Sequence, residues 1–145
     1  MGTAAARRKE FPLFKEYQKE LSNPIAMVYR ASEGVGVGVF DALQELTILG
    51  KAQLAAFLDA TPKTIDNYRI RKRKLGRPES EQLLQIMGLY KKGVELFGTV
   101  ELFNEWLRKP AYGLGNQQPF DLLYTAGGIQ LVLEELLRIE YGALA

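Results

Sequence analysis

The sequence holds no cysteine and no histidine. The first absence excludes disulfides and thiolate metal sites. The second removes imidazole ligands, Ser-His and Cys-His nucleophile pairs, and the commonest general base. No apolar run approaches the roughly 18 residues of a membrane span, and no signal peptide is evident, so a reduced cytoplasmic setting is expected. Gly2 invites a myristoylation reading, but Ala6 stands where Ser or Thr is needed. What remains is ordinary globular material: 145 residues, 47% hydrophobic and 25% charged. At roughly 150 residues per domain, that is one domain or two very small ones.

Charge is unevenly placed. Residues 1–93 carry 16 Lys/Arg against 10 Asp/Glu, a net of +6, whereas residues 94–145 carry 3 against 7, a net of −4. A basic front and an acidic back imply two surfaces with different partners.

The periodicity is helical nearly throughout. Phe11, Phe14, Tyr17 and Leu21 mark an amphipathic helix ended by Asn23-Pro24. Residues 24–33 read equally as strand or helix. Gly34, Gly36 and Gly38 alternate with Val and read as a flexible connector. A phosphate-cradling loop would need a preceding strand and another glycine spacing. Phe40, Leu43 and Leu46 stripe a helix closed at Gly50, and Leu54, Ala55 and Leu58 stripe the next. Asp59-Ala60 turns the chain. Thr61 then caps a third helix with Pro62 at its first position.

Leu75-Gly76-Arg77 breaks that helix, and Pro78 opens another carrying Leu83, Leu84, Ile86, Met87 and Tyr90. Gly93 and Gly98 punctuate. Thr99 caps a helix with Val100, Phe103 and Leu107 on one face; Trp106 and Leu102 lie on its flank, Trp106 best read as packing on a neighbouring helix. A turn-rich loop follows over 110–119, then a short helix from Pro119. Thr125 caps a last helix whose inward stripe is Ile129, Val132, Leu133, Leu136 and Leu137. The expectation is an all-α fold of about seven helices. It divides into an extension of open role (1–33), a helix-turn-helix lobe (34–93) and a small helical lobe (94–145).

Residues 51–68 resemble the helix-turn-helix of Xre-type repressors. Ala55 is small where the third helix crosses, and Asp59 stands at a turn usually held by Gly, tolerating a left-handed backbone better than most residues. At 100° per residue, Ile65 and Tyr68 point inward, while Lys63, Asp66, Asn67 and Ile70 point outward with Thr64 and Arg71 beside them. Lys63, Thr64 and Asn67 suit base edges or phosphates. Asp66 is the exception, since a carboxylate repels phosphate. Arg69, Arg71, Lys72, Arg73 and Lys74 follow in a nine-residue run with six basic and no acidic members. If about three of them neutralise phosphates, log K falls against log salt with a slope near −3, about −0.9 per contact. A monomeric module binds weakly, so a homodimer on a palindromic operator is implied.

The back segment carries a sharper pattern: Leu96-Phe97-Gly98, Trp106-Leu107-Arg108-Lys109-Pro110, Gly113-Leu114-Gly115, Pro119-Phe120-Asp121-Leu122-Leu123, Thr125-Ala126-Gly127 and Leu136-Leu137-Arg138-Ile139-Glu140-Tyr141-Gly142. In this order it resembles the toxin-binding domain of the Xre/MbcA/ParS antitoxin family. The resemblance implies a type II antitoxin, encoded beside a RES-domain toxin that consumes NAD. Such an antitoxin blocks the toxin's active site by direct binding and represses its own operon. It further implies that the last helix and tail approach the toxin: Arg138, Glu140, Tyr141, Gly142, Ala143, Leu144 and Ala145. The residues themselves add Leu131, an outward Leu near Arg138, and Glu140, which lands on the apolar face unless the helix frays or a cation meets it. No enzyme is expected and no cofactor or metal is called for. Asp121, Glu134 and Glu135 form no acid/base pair, because Glu134 and Glu135 diverge by 100° on one helix. The competing reading is a plain repressor whose back lobe only dimerises.

Overall fold

The computed structural model describes residues 11–142. Among them lie nine α-helices and two 3-10 turns, with a lone bridge between Ala111 and Gln117 and no strand. The helices are α1 (Pro12–Glu16), α2 (Gln18–Ser22), α3 (Pro24–Glu33), α4 (Val37–Thr47), α5 (Lys51–Phe57), α6 (Pro62–Ile70), α7 (Arg77–Phe97), α8 (Val100–Leu107) and α9 (Ala126–Gly142). The 3-10 turns are Tyr112–Leu114 and Pro119–Leu122, between α8 and α9. The all-α expectation holds. None of the described helices is long and apolar enough to cross a membrane.

The long helix α7 organises the molecule. Leu83, Leu84, Ile86, Met87, Leu89 and Tyr90 are all fully buried, so most of its circumference is apolar. That breadth is used: α3 packs along one side, and α8 and α9 along others. One contiguous core joins Leu13, Phe14 and Tyr17 to Phe40, Leu54, Ile65, Phe103 and Val132. Residues 11–33 are therefore part of the packed body, and α7 runs straight through the 93/94 position.

Several local expectations are corrected. Residues 24–33 are helical, because the Asn23 carboxamide oxygen accepts from the N–H groups of Ile25 and Ala26 and Pro24 occupies the first helical position. The 11–21 helix is interrupted at Tyr17, giving α1 and α2.

The glycine segment is not a loose connector. Gly34 is buried at φ 86°, and a Cβ there would lie 2.7 Å from the Leu75 carbonyl oxygen. Leu75 N–H donates to the Val35 carbonyl at 2.8 Å, and the buried Ser80 hydroxyl accepts from Val35 N–H at 3.0 Å. Helix α4 starts at Val37, so Gly38 lies inside it.

That helix ends not at Gly50 but at Ile48, which takes the left-handed conformation at φ 62°. Gly93 is interior to α7. It is glycine because the ring of Phe103 sits where a Cβ would be. Leu137, expected inward, is 38% exposed.

The three threonine caps form as their spacing requires. Thr61 accepts from Thr64 N–H at 3.1 Å, Thr99 from Leu102 N–H at 3.1 Å and Thr125 from Gly128 N–H at 3.0 Å. Asp59 is left-handed at φ 56°. Trp106 is half-buried and stacks on Phe97 and Phe103, with ring centroids 5.6 and 6.0 Å apart.

Two polar links tie the halves together. Tyr90 donates to the Asn104 carboxamide oxygen at 2.7 Å, and Asn104 in turn donates to the Thr47 carbonyl at 2.8 Å. Burial pushes the Tyr90 phenol well above its ordinary pKa. Gln53 on α5 meets the Tyr124 hydroxyl at 3.1 Å, and Phe57 packs edge-on against both Phe120 and Tyr124.

Candidate functional site

Two surfaces carry the residues singled out in the sequence. The first is α6 and the chain after it. Lys63, Asn67, Arg71, Lys72, Arg73 and Lys74 are exposed, and Thr64 is half-buried with its hydroxyl 3.0 Å from that of Thr61. Helix α6 ends in a left-handed Lys72, φ 54°, with Lys72 N–H donating to the Arg69 carbonyl and Arg73 N–H reaching back to the Tyr68 carbonyl at 3.0 Å. This reversal brings Arg73 beside Arg71. Together with Thr64, Asn67 and Tyr68 they line a shallow cleft of about 270 Å³. The Tyr68 hydroxyl donates to Glu79 at 2.6 Å, which, with burial, holds its pKa above the ordinary phenol value.

Arg69 stands apart. Its Nη1 and Nη2 bond the two oxygens of Asp41 on α4 at 2.7 and 2.9 Å, and this bidentate pairing holds the Asp41 carboxyl below its ordinary pKa. The Nε edge of Arg69 faces Asp66 at 3.9 Å. Asp66, the misfit on the outward face, bonds Lys51 at the start of α5. The sequence hides this because its partner lies 15 residues upstream.

The second surface is α9. Gly127, Gln130, Leu131, Glu134, Leu137, Arg138 and Tyr141 are exposed along one side, with Leu131 at 50% and Tyr141 at 66%. Arg138 is braced by Glu135, its Nε 2.8 Å from Oε1. The helix does not fray at Glu140. That carboxylate meets a cation within the chain, with both oxygens 2.9 Å from Lys92 Nζ. Gly142 is the last described residue of α9. Ala143, Leu144 and Ala145 lie outside the described residues.

Sequence reasoning missed Tyr112. It is 92% exposed in the first 3-10 turn, which sits on α9 so closely that a Cβ on Gly113 would overlap the Glu135 carboxylate. The available signal was an aromatic residue inside a turn-dense loop. Among the described residues no three metal-ligating side chains group together.

Residues 92–142 match the family model described as the antitoxin Xre/MbcA/ParS C-terminal toxin-binding domain. A protein named Antitoxin Xre from Photorhabdus laumondii is 25% identical over 115 residues, covering 79% of this chain and 78% of the relative. A second Antitoxin Xre, from Yersinia enterocolitica, is 24% identical over 134 residues, covering 92% and 90%. The chain is thus similar to antitoxins of toxin–antitoxin systems, and its exposed C-terminal helix falls within the matched toxin-binding domain. The family it resembles is Xre/MbcA/ParS, by the toxin-binding-domain match over residues 92–142 and by two relatives at 24–25% identity.

Proposed function

We propose that this chain is a type II antitoxin that neutralises a cognate RES-domain, NAD-consuming toxin by seating the outer face of α9 and the residues after it over the toxin's active site. It acts in the cytoplasm, without catalysis of its own, and represses its own operon as a homodimer through α6 and the basic run that follows. The observation that carries this reading is the exposed side of α9. Leu131, Leu137 and Tyr141 are uncovered there, within the toxin-binding match and next to a braced Arg138. Aromatic and Arg side chains dominate binding energy at such contacts, and a pre-positioned Arg loses less freedom on docking.

The Lys92–Glu140 pair changes the role expected of the carboxylate. To meet a cation on the toxin, Glu140 must exchange one ammonium for another. Its contribution is thus smaller than that of its apolar neighbours. The basic front supports the operator reading through the cleft of Thr64, Asn67, Arg71 and Arg73.

The test is co-expression with the RES-domain toxin of the neighbouring gene. Full-length chain restores growth. A chain ending at Ile139 loses Glu140, Tyr141 and everything after them, and protection falls with it. Full protection by the shortened chain overturns active-site covering by this end of the molecule.

A further inference from the structure

The basic side chains of α6 and its exit fall into two sets according to what they already touch. An arginine can present two bidentate edges to a phosphate or to guanine, one across Nη1 and Nη2 and one across Nε and Nη2. In Arg69 the first edge is filled by Asp41 and the second faces Asp66. Asp66 in turn holds Lys51, so four side chains from α4, α5 and α6 form one alternating string of charge. Arg71 and Arg73, by contrast, have no ion-pair partner among the described residues, and both line the cleft with Thr64 and Asn67.

We propose that the Arg71–Arg73 cleft grips one backbone phosphodiester of duplex DNA, and that Asp41 withholds Arg69 from the DNA and so limits affinity. The inference rests on the operator-binding reading and refines it. The two arginines are neighbours only because Lys72 turns the chain left-handed, so the clamp is set by backbone geometry. Thr64 and Asn67 supply neutral hydrogen-bonding groups in its lining. Asp41 acts through Arg69 and by its own negative charge, both of which disfavour an approaching phosphate. Arg69 serves instead to dock α6 on α4.

The experiment is fluorescence anisotropy of the full-length chain with a random-sequence DNA duplex of about 20 base pairs, across a series of salt concentrations; sequence-independent binding reports phosphate contacts directly. The Arg71→Ala/Arg73→Ala double variant is expected to lose about one phosphate contact, a slope shallower by about 0.9 with roughly tenfold weaker binding. Asp41→Asn is expected to steepen the slope by about 0.9 and tighten binding about threefold, because Arg69 is released. Adding Arg69→Ala to Asp41→Asn returns the slope to the wild-type value. The thermal midpoint of each variant confirms folding; both arginines of the cleft are exposed, so their removal leaves the core intact. An unchanged or shallower slope for Asp41→Asn, or an unchanged slope for the cleft variant, overturns the inference while leaving operator binding standing. Absence of any salt-dependent binding by the wild-type chain sinks the operator reading itself.

Discussion

Leu131→Asp in the full-length chain is expected to weaken toxin binding by about two orders of magnitude while leaving the fold intact. A central apolar contact at an interface contributes about 2–4 kcal/mol when it is lost, and about 1.4 kcal/mol is a factor of ten. An aspartate adds the cost of burying an unpaired carboxylate against the partner. The fold is spared because Leu131 is 50% exposed and belongs to no core contact, unlike Ile129 and Val132 beside it, which are fully buried. Substitutions at such surface positions shift stability by only about 0.5 kcal/mol. Calorimetric titration against the purified toxin, paired with a thermal melt, reads both quantities. Binding within threefold of wild type would remove α9's outer face from the interface.

Gly128→Ala is expected to destabilise the chain by about 3 kcal/mol, at the upper end of overpacking costs, although alanine is the better helix former by about 1 kcal/mol. Steric exclusion wins because the added Cβ would fall inside the Leu122 carbonyl group, with the Thr125 hydroxyl 3.2 Å away. Neither neighbour is the tip of a flexible side chain: one is backbone, and the other is the helix cap bonded to Gly128 itself. At about 2–4 °C per kcal/mol for a chain of this size, the midpoint drops by roughly 6–12 °C. The adjacent glycine provides the control. A Cβ on Gly127 meets nothing within 4 Å, so Gly127→Ala should gain up to about 1 kcal/mol. Equal effects at both positions would refute the packing argument.

Features encoded within three or four residues were legible in the sequence. Each threonine cap, the Pro62 start and the left-handed Asp59 needs only its immediate neighbours. What escaped depends on distant residues. Gly93 looks like a breaker until the ring of Phe103 is known to lie on it. The strand-or-helix ambiguity of 24–33 had a local cap signal in Asn23-Pro24, but the burial of Ala31 in the common core, at 1% exposure, depends on residues far along the chain. The same holds at the site. The basic run and the outward residues of α6 were readable as a list, but their division was not. Arg69 is neutralised from 28 residues upstream, and Glu140 is held from 48 residues upstream. Leu137 sits at the margin of the inward stripe of α9, where helical projection alone does not tell cover from exposure.

Helix α7 has 21 residues, about 32 Å of uninterrupted rod at 1.5 Å per residue. The family match begins only at residue 92, near the rod's far end, yet α9 is seated along the same helix as α3. A recombinant swap of the half that carries the family match onto a foreign module would therefore need its seam near Gly76. Cut at the match boundary instead, the transplanted half would leave behind the helix that gives it a floor.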